Sequence, residues 1–392
     1  MKPNSFSLPQ PLTRAGGALS SSRPVAIWIY TGVIMLLVQF ILGGITRLTG
    51  SGLSITEWDL GKGILPPLNH AQWMVAFDKY RQTPQFRILN ADFTLSDFKF
   101  IFFWEWSHRF WARLVALVFV VGFVWLLRKK MMKAQMVRPL LILFLLGALQ
   151  GAVGWIMVAS GLTGDAIYVV PTRLALHFVF ACGLVVYTFW FALELSVDPD
   201  AIRGRAGGVG DPKAGSGSRG GPDDRSIRRL RAWTIAILIL LFFQLLYGAL
   251  MAGHKAAAVA PTWPTINGAW WPESLFNRRP LTTDLVGNTL TVQFLHRGMA
   301  YGLLILVLVW TVLSLRLREV GPGFRKVRWL PLGFIVLQIL LGIGSLLASP
   351  GIIPNRWLVF NWLAQFHQVV GLIFLLTITG MLYLVRPYNR TI

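Results

Sequence analysis

Eight apolar stretches, each near the length that crosses a lipid bilayer, constrain this 392-residue chain more than any other feature. A helix rises about 1.5 Å per residue, so about 20 apolar residues span the hydrocarbon core. The stretches fall at about residues 25–45, 108–127, 138–160, 172–194, 231–252, 291–315, 329–348 and 363–385. Lipid offers no partners to backbone N–H and C=O groups, so each stretch must satisfy its own as a helix. The expected fold class is an all-α integral membrane protein. Short helices are expected around 70–81 and 94–103, within a long polar-aromatic connection.

Charge placement points the same way. Hydrophobic residues make up 55% of the chain and charged ones 14%, yet the formal net charge is +21. The basic residues lie between the spans (Arg128, Lys129, Lys130, Lys133 and Arg138; Arg316, Arg318, Arg325, Lys326 and Arg328), where they set orientation in a membrane. Nucleic acid is therefore not an expected partner; the lipid bilayer is. The positive-inside bias predicts a multi-pass protein of the bacterial plasma membrane, both termini cytoplasmic, with the mitochondrial inner membrane as the alternative. Residues 1–24 and 386–392 then form cytoplasmic tails, and the Gly-, Asp- and Arg-rich residues 195–230 a flexible cytoplasmic linker. One cysteine, Cys182, rules out an intrachain disulfide and reads as a packed core residue.

The chain is an internal repeat. Gln39 and Gly43 in the first span are answered by Gln244 and Gly248 in the fifth. His108-Arg109 is answered by His296-Arg297, Gln150 and Gly154 by Gln338 and Gly342, and His177 by His367. The offsets are 205, 188, 188 and 190 residues. Each copy has an even number of spans, so the copies share orientation and should be related by an axis along the membrane normal. The expected architecture is eight transmembrane helices as two pseudo-symmetric four-helix bundles, residues 25–194 and 231–385.

Four histidines, His108, His177, His296 and His367, open spans at the same outer face in each copy. A histidine in a membrane span is costly without a partner. Two per bundle can face one another as axial ligands of a haem iron, a cofactor that helix bundles commonly hold. A zinc or copper site is less attractive, because neither half offers a nearby Cys, Asp or third His to complete a set. His70 and His254 have no repeat partner and read as surface residues. Glu105 precedes His108 by three residues, where the other copy has Gln293 before His296. A carboxylate can accept a proton and an amide cannot, which suits the first site to chemistry and the second to electron transfer. The competing reading pairs Glu105 with Arg109 or Arg113. Arg109, Arg173 and Arg297 stand at the depth where haem propionates would need cations, and Arg47, Arg278 and Arg279 stand in the outer loops.

The stretches GGITRLTGSGLSITEW (43–58), EWSHRFWARLVAL (105–117), LHFVFACGL (176–184), FLHRG (294–298) and QFHQVVG (365–371) resemble the haem A synthases of proteobacteria and mitochondria. The resemblance implies an oxidoreductase of haem A biosynthesis, serving cytochrome c oxidase. It would convert the C8 methyl group of haem O to a formyl group by successive hydroxylations. It also implies that His108 and His177 take the substrate haem with Glu105 assisting, and that His296 and His367 hold a haem b. Arg109 and Arg297 are then candidates for cofactor binding. The expected partners are haem O, an electron donor such as a ferredoxin, a haem O synthase and a second copy of this chain. The outer loops of the first half lack the cysteine pair of the family's other branch, which excludes thiol chemistry there. The alternative reading is a di-haem b transmembrane electron carrier, which leaves the Glu105/Gln293 difference unexplained.

Overall fold

A computed structural model describes residues 18–57, 63–197, 224–317, 320–353 and 356–386. It holds eight helices long and apolar enough to cross a membrane. They are α1 (Ala18–Leu48), α4 (Leu95–Arg128), α5 (Ala134–Ala159), α6 (Pro171–Ser196), α7 (Asp224–Gly253), α9 (Thr289–Arg316), α11 (Leu330–Ala348) and α12 (Val359–Leu384). The short helices are α2 (His70–Arg81), α3 (Pro84–Leu89), α8 (Leu281–Gly287) and α10 (Pro322–Val327). Among the described residues there is no strand.

The ends of the spans differ from the hydropathy reading for one physical reason: a helix continues past the apolar residues that mark the membrane. The helix expected over 94–103 is not separate but forms the first turns of α4. There Thr94 caps the helix, its side chain accepting from Asp97 N while the Asp97 carboxylate accepts from Thr94 N. His108 thus lies deep inside a 34-residue helix rather than at its start. Likewise α1 takes in residues 18–24 of the expected tail, and α7 takes in residues 224–230 of the expected linker. The remainder of that linker, 198–223, and the ends 1–17 and 387–392 lie outside the described residues. The helix expected over 70–81 is α2, started by Asn69, whose side chain accepts from Gln72 N.

Helices α1, α6, α7 and α12 form the centre of the molecule. In the first copy α1 packs on α4 and on α6, and α5 packs on α6. In the second, α7 packs on α9 and α12, and α11 on α12. The copies meet where α6 touches α7 and α12 touches α1, contacts that exchange under the repeat. Polar side chains tie that seam: Gln365 donates to Ile41 O at 3.2 Å and Gln368 to Phe40 O at 2.9 Å. Gly44 makes room for both amides, since a Cβ there would displace the Gln365 and Gln368 side chains.

One packing relation breaks the symmetry. Helix α9 packs on α11 and closes the second bundle, whereas α4 and α5 barely touch. The sequence carries the cause at the 188-residue offset of the repeat. Ile335 and Ile339 on α11 and Leu304 on α9 belong to the second bundle's core. Their counterparts are Gly147 and Gly151 on α5 and Ala116 on α4, all three exposed. A Cβ placed on Gly147 or Gly151 would meet no atom within 4 Å. The side chains that would bridge the two helices are missing, so the first bundle is open on that side.

Candidate functional site

Each of the four histidines projects from one long helix against a glutamine and a glycine of a neighbour. On α1, Gln39 and Gly43 face His108 of α4; a Cβ on Gly43 would stand 3.0 Å from His108 Cε1. On α5, Gln150 and Gly154 face His177 of α6, with the corresponding approach 2.8 Å. On α7, Gln244 and Gly248 face His296 of α9 at 3.1 Å, and on α11 Gly342 faces His367 of α12 at 3.0 Å, beside Gln338. Real Cβ contacts are rarely so short, so only glycine lets these rings lie against the neighbouring backbone. The Gln-x-x-x-Gly pattern was legible as a repeat marker; its partnership with histidine was not, because the residues are 27 to 69 apart in the chain.

The structure brings the histidines of the second bundle together. The His296 and His367 rings have centroids 6.3 Å apart and planes at 75°. Metal–imidazole bonds are about 2 Å, so two rings sharing one metal ion have centroids roughly 6 Å apart. In the first bundle, among the described residues, His108 and His177 make no such ring contact, in keeping with the open α4/α5 side. No group of three or more His, Cys, Asp or Glu side chains converges among the described residues. Haem iron, already held by its porphyrin, would need only two axial ligands, a requirement that the spacing of His296 and His367 suits.

Above each pair, a connecting loop is clamped by the residues three before and one after the first histidine. In the first copy Glu105 is buried; its carboxylate accepts from Ser54 Oγ at 2.7 Å, Ile55 N at 2.8 Å and Arg109 Nη2 at 2.6 Å. Arg109 also donates to the carbonyls of Ile55 and Glu57, at 3.2 and 3.3 Å. In the second copy Gln293 donates to Ala256 O and Ala260 O at 3.1 and 3.3 Å, and Arg297 to Ala260 O and Thr265 O at 2.9 and 3.2 Å. The first loop presents donors to a carboxylate and the second presents carbonyls to an amide, so the Glu/Gln difference also follows from loop chemistry. The pairing of Glu105 with Arg109, weighed from the sequence, is thus present.

Of the remaining arginines, Arg47 lies in the last turn of α1 rather than in a loop, and three others engage backbone carbonyls. Arg173 donates to Ile156 O, Arg278 to Gly287 O and Arg279 to Phe276 O. A cavity of about 180 Å³ opens beside Arg109, lined by Ile55, Glu57, Trp155, Val158 and Leu162 where the loop meets α4 and α5. His70 starts α2 at the surface, and His254 bonds to Val286 O at 2.7 Å; neither approaches the paired histidines. Cys182 is buried in the core.

Comparison with known proteins agrees with this architecture. Residues 26–379 match the cytochrome oxidase assembly protein family (COX15-CtaA). A "Heme A synthase" of Rhodopseudomonas palustris (strain BisA53) is 38% identical over 370 residues, covering 94% of this chain and 92% of the relative. A "Heme A synthase" of Brucella suis is 38% identical over 83% of this chain and 84% of its own length. One from Caulobacter sp. (strain K31) is 35% identical over 93% and 97% respectively. With the match running from α1 into α12, this multi-pass membrane chain belongs to the cytochrome oxidase assembly protein family.

Proposed function

We propose that this chain oxidises haem O to haem A, with the substrate between His108 and His177 and a resident haem b between His296 and His367. The observation that carries the division of labour is the unequal closure of the two bundles. A resident cofactor suits a closed bundle whose histidine rings already stand 6.3 Å apart. A substrate that must enter and leave suits the bundle that is open between α4 and α5. Haem supplies iron-centred redox chemistry and delocalised electrons when bound.

The chain's own groups do the rest. His108 on α4 and His177 on α6 would hold the substrate haem by their ring nitrogens, and Gly43 and Gly154 let the rings lie close against the bundle wall. Glu105 stands one turn before His108, buried, where it can take a proton released as the substrate methyl group is oxidised. Arg109 and Arg297 place guanidinium charge at the outer rim, where propionates would lie. A haem held between His296 and His367 would supply an electron relay between the substrate site and an external redox partner, for which a donor of the ferredoxin class is proposed. The basic loops put both termini in the cytoplasm and the histidines near the outer face. A haem O synthase and a second copy of the chain are proposed partners on the resemblance alone.

Expression together with a haem O synthase tests this reading. Extracted haems, identified by chromatography and mass, are expected to include haem A or its hydroxylated precursor. Haem B and unaltered haem O alone, from folded haem-loaded protein supplied with a ferredoxin system, would favour the di-haem carrier.

A further inference from the structure

The glutamine beside each histidine does more than mark the repeat. Gln39 Nε2 lies 3.1 Å from Nδ1 and 3.3 Å from Nε2 of His108, and 3.2 Å from the His108 carbonyl oxygen. Gln150 stands to His177 in the same way, at 3.1, 3.3 and 3.1 Å. The two nitrogens of an imidazole point apart, so a donor in line with one lies well away from the other. Near-equal distances place the amide over the ring face, anchored by the histidine's own carbonyl, and leave the in-plane lone pair to another partner.

In the second bundle the amide nitrogens of Gln244 and Gln338 lie 3.4 and 3.3 Å from Nε2 of His296 and His367. His367 Nδ1 also lies 3.0 Å from the main-chain carbonyl oxygen of Gln338. A carbonyl only accepts, so Nδ1 carries the proton and Nε2 the lone pair, the tautomer that binds a metal. In all four glutamines Oε1 is buried without a partner. An unsatisfied buried polar atom costs about 1–3 kcal/mol. Packing alone gives no reason to repeat that cost four times beside four histidines.

We infer that Gln39, Gln150, Gln244 and Gln338 are positioning residues that fix the rotation of the four imidazole rings, so that each pair presents one nitrogen apiece to a shared iron. This inference rests on the proposed haem sites. Gln39 and Gln150 hold the ring from its face and Gln244 and Gln338 hold it at Nε2, the nitrogen whose lone pair an iron would take, and the glycine four residues later stops a side chain from displacing the ring. Holding ligands in one rotamer from outside the metal shell is how outer partners tune metal sites.

The test reads ring orientation rather than turnover. In ferric haem with two axial histidines, the electron paramagnetic resonance anisotropy depends on the angle between the imidazole planes, and near-perpendicular planes such as the 75° here give the most anisotropic low-spin signal. Purified full-length protein with its haem is expected to show that signal. In Gln338→Leu and Gln244→Leu it is expected to be lost to a less anisotropic or high-spin form, with haem content and thermal unfolding retained. Gln338→Met and Gln244→Met, which keep side-chain length without the amide, should behave alike and serve where the leucine variants do not fold. Unchanged anisotropy in haem-loaded variants would overturn the positioning role while leaving the haem site standing. Haem-loaded wild-type protein with no bis-histidine signal would overturn both.

Discussion

Buried Glu105 and half-buried Arg109, one turn apart on α4, form an ion pair at 2.6 Å, and together they hold residues 54–57 over the first histidine pair. The pair is doubly used: the carboxylate takes loop donors and the guanidinium takes loop carbonyls. Removing the carboxylate is costly, because the Ser54, Ile55 and Arg109 donors lose the charged acceptor they share.

Glu105→Gln should therefore have two separable effects. Haem A formation is expected to stop while haem binding is retained, since neither histidine changes. The amide would keep one acceptor oxygen but turn its NH2 either toward Arg109 or toward the Ser54 and Ile55 donors, loosening the loop by about 3 kcal/mol. Haem extraction reads the first effect and protease sensitivity near residue 55 the second. Normal haem A yield would remove Glu105 from the reaction.

Closing the first bundle should block the substrate and spare the cofactor. Gly147→Ile with Gly151→Ile restores on α5 the side chains that fill the second bundle. Activity is expected to drop at least about tenfold, the b-type absorbance to stay, and stability to hold or rise as apolar surface is covered. Unchanged turnover would mean that the α4/α5 opening is not used.

Filling a glycine cradle should remove one haem at a time. Gly342→Leu drives a side chain into His367, already 3.0 Å from a bare Cβ, at a cost of about 1–3 kcal/mol in overpacking. The b-type spectrum of the second bundle should disappear, as it should in His296→Ala or His367→Ala. Gly154→Leu should leave that spectrum in place and abolish substrate binding. A b-type spectrum that survives Gly342→Leu, His296→Ala and His367→Ala would reverse the assignment of the halves.

The loop over the second bundle should fail in acid. Asp284 is fully buried and accepts from Thr291 Oγ1 at 2.6 Å, Asn288 Nδ2 at 2.9 Å, and the N–H groups of Arg278 and Phe276 at 3.0 and 3.1 Å. Burial alone would push its carboxyl up, but these bonds outweigh burial and hold it below the ordinary carboxylate value. A depressed folded value contributes stability above the unfolded one and loses it as pH falls through the folded one. Amide exchange in residues 276–291 should therefore accelerate below about pH 4, and Asp284→Ala should show the same acceleration at neutral pH, by about 3 kcal/mol. Equal protection in the two proteins at pH 7 would contradict the anchor.

What the sequence alone determined was whatever repeats or is forced by lipid. Eight apolar stretches had to be helices, and a 188-residue offset exposed the duplication that aligns His108 with His296 and Gln150 with Gln338. The apolar stretches could not show that α4 starts at Leu95, because a helix held by the Thr94 cap and by packing against α2 continues where hydropathy has fallen. Nor could they show which glutamine meets which histidine, since that depends on which helices become neighbours. The replacement of Ile335 and Ile339 by Gly147 and Gly151 was written in the chain, yet its meaning was not. Only the packing of α9 on α11, and its failure between α4 and α5, turned two missing side chains into an opening. Local physics sets the elements, whereas contacts between residues far apart in the chain decide what each element faces.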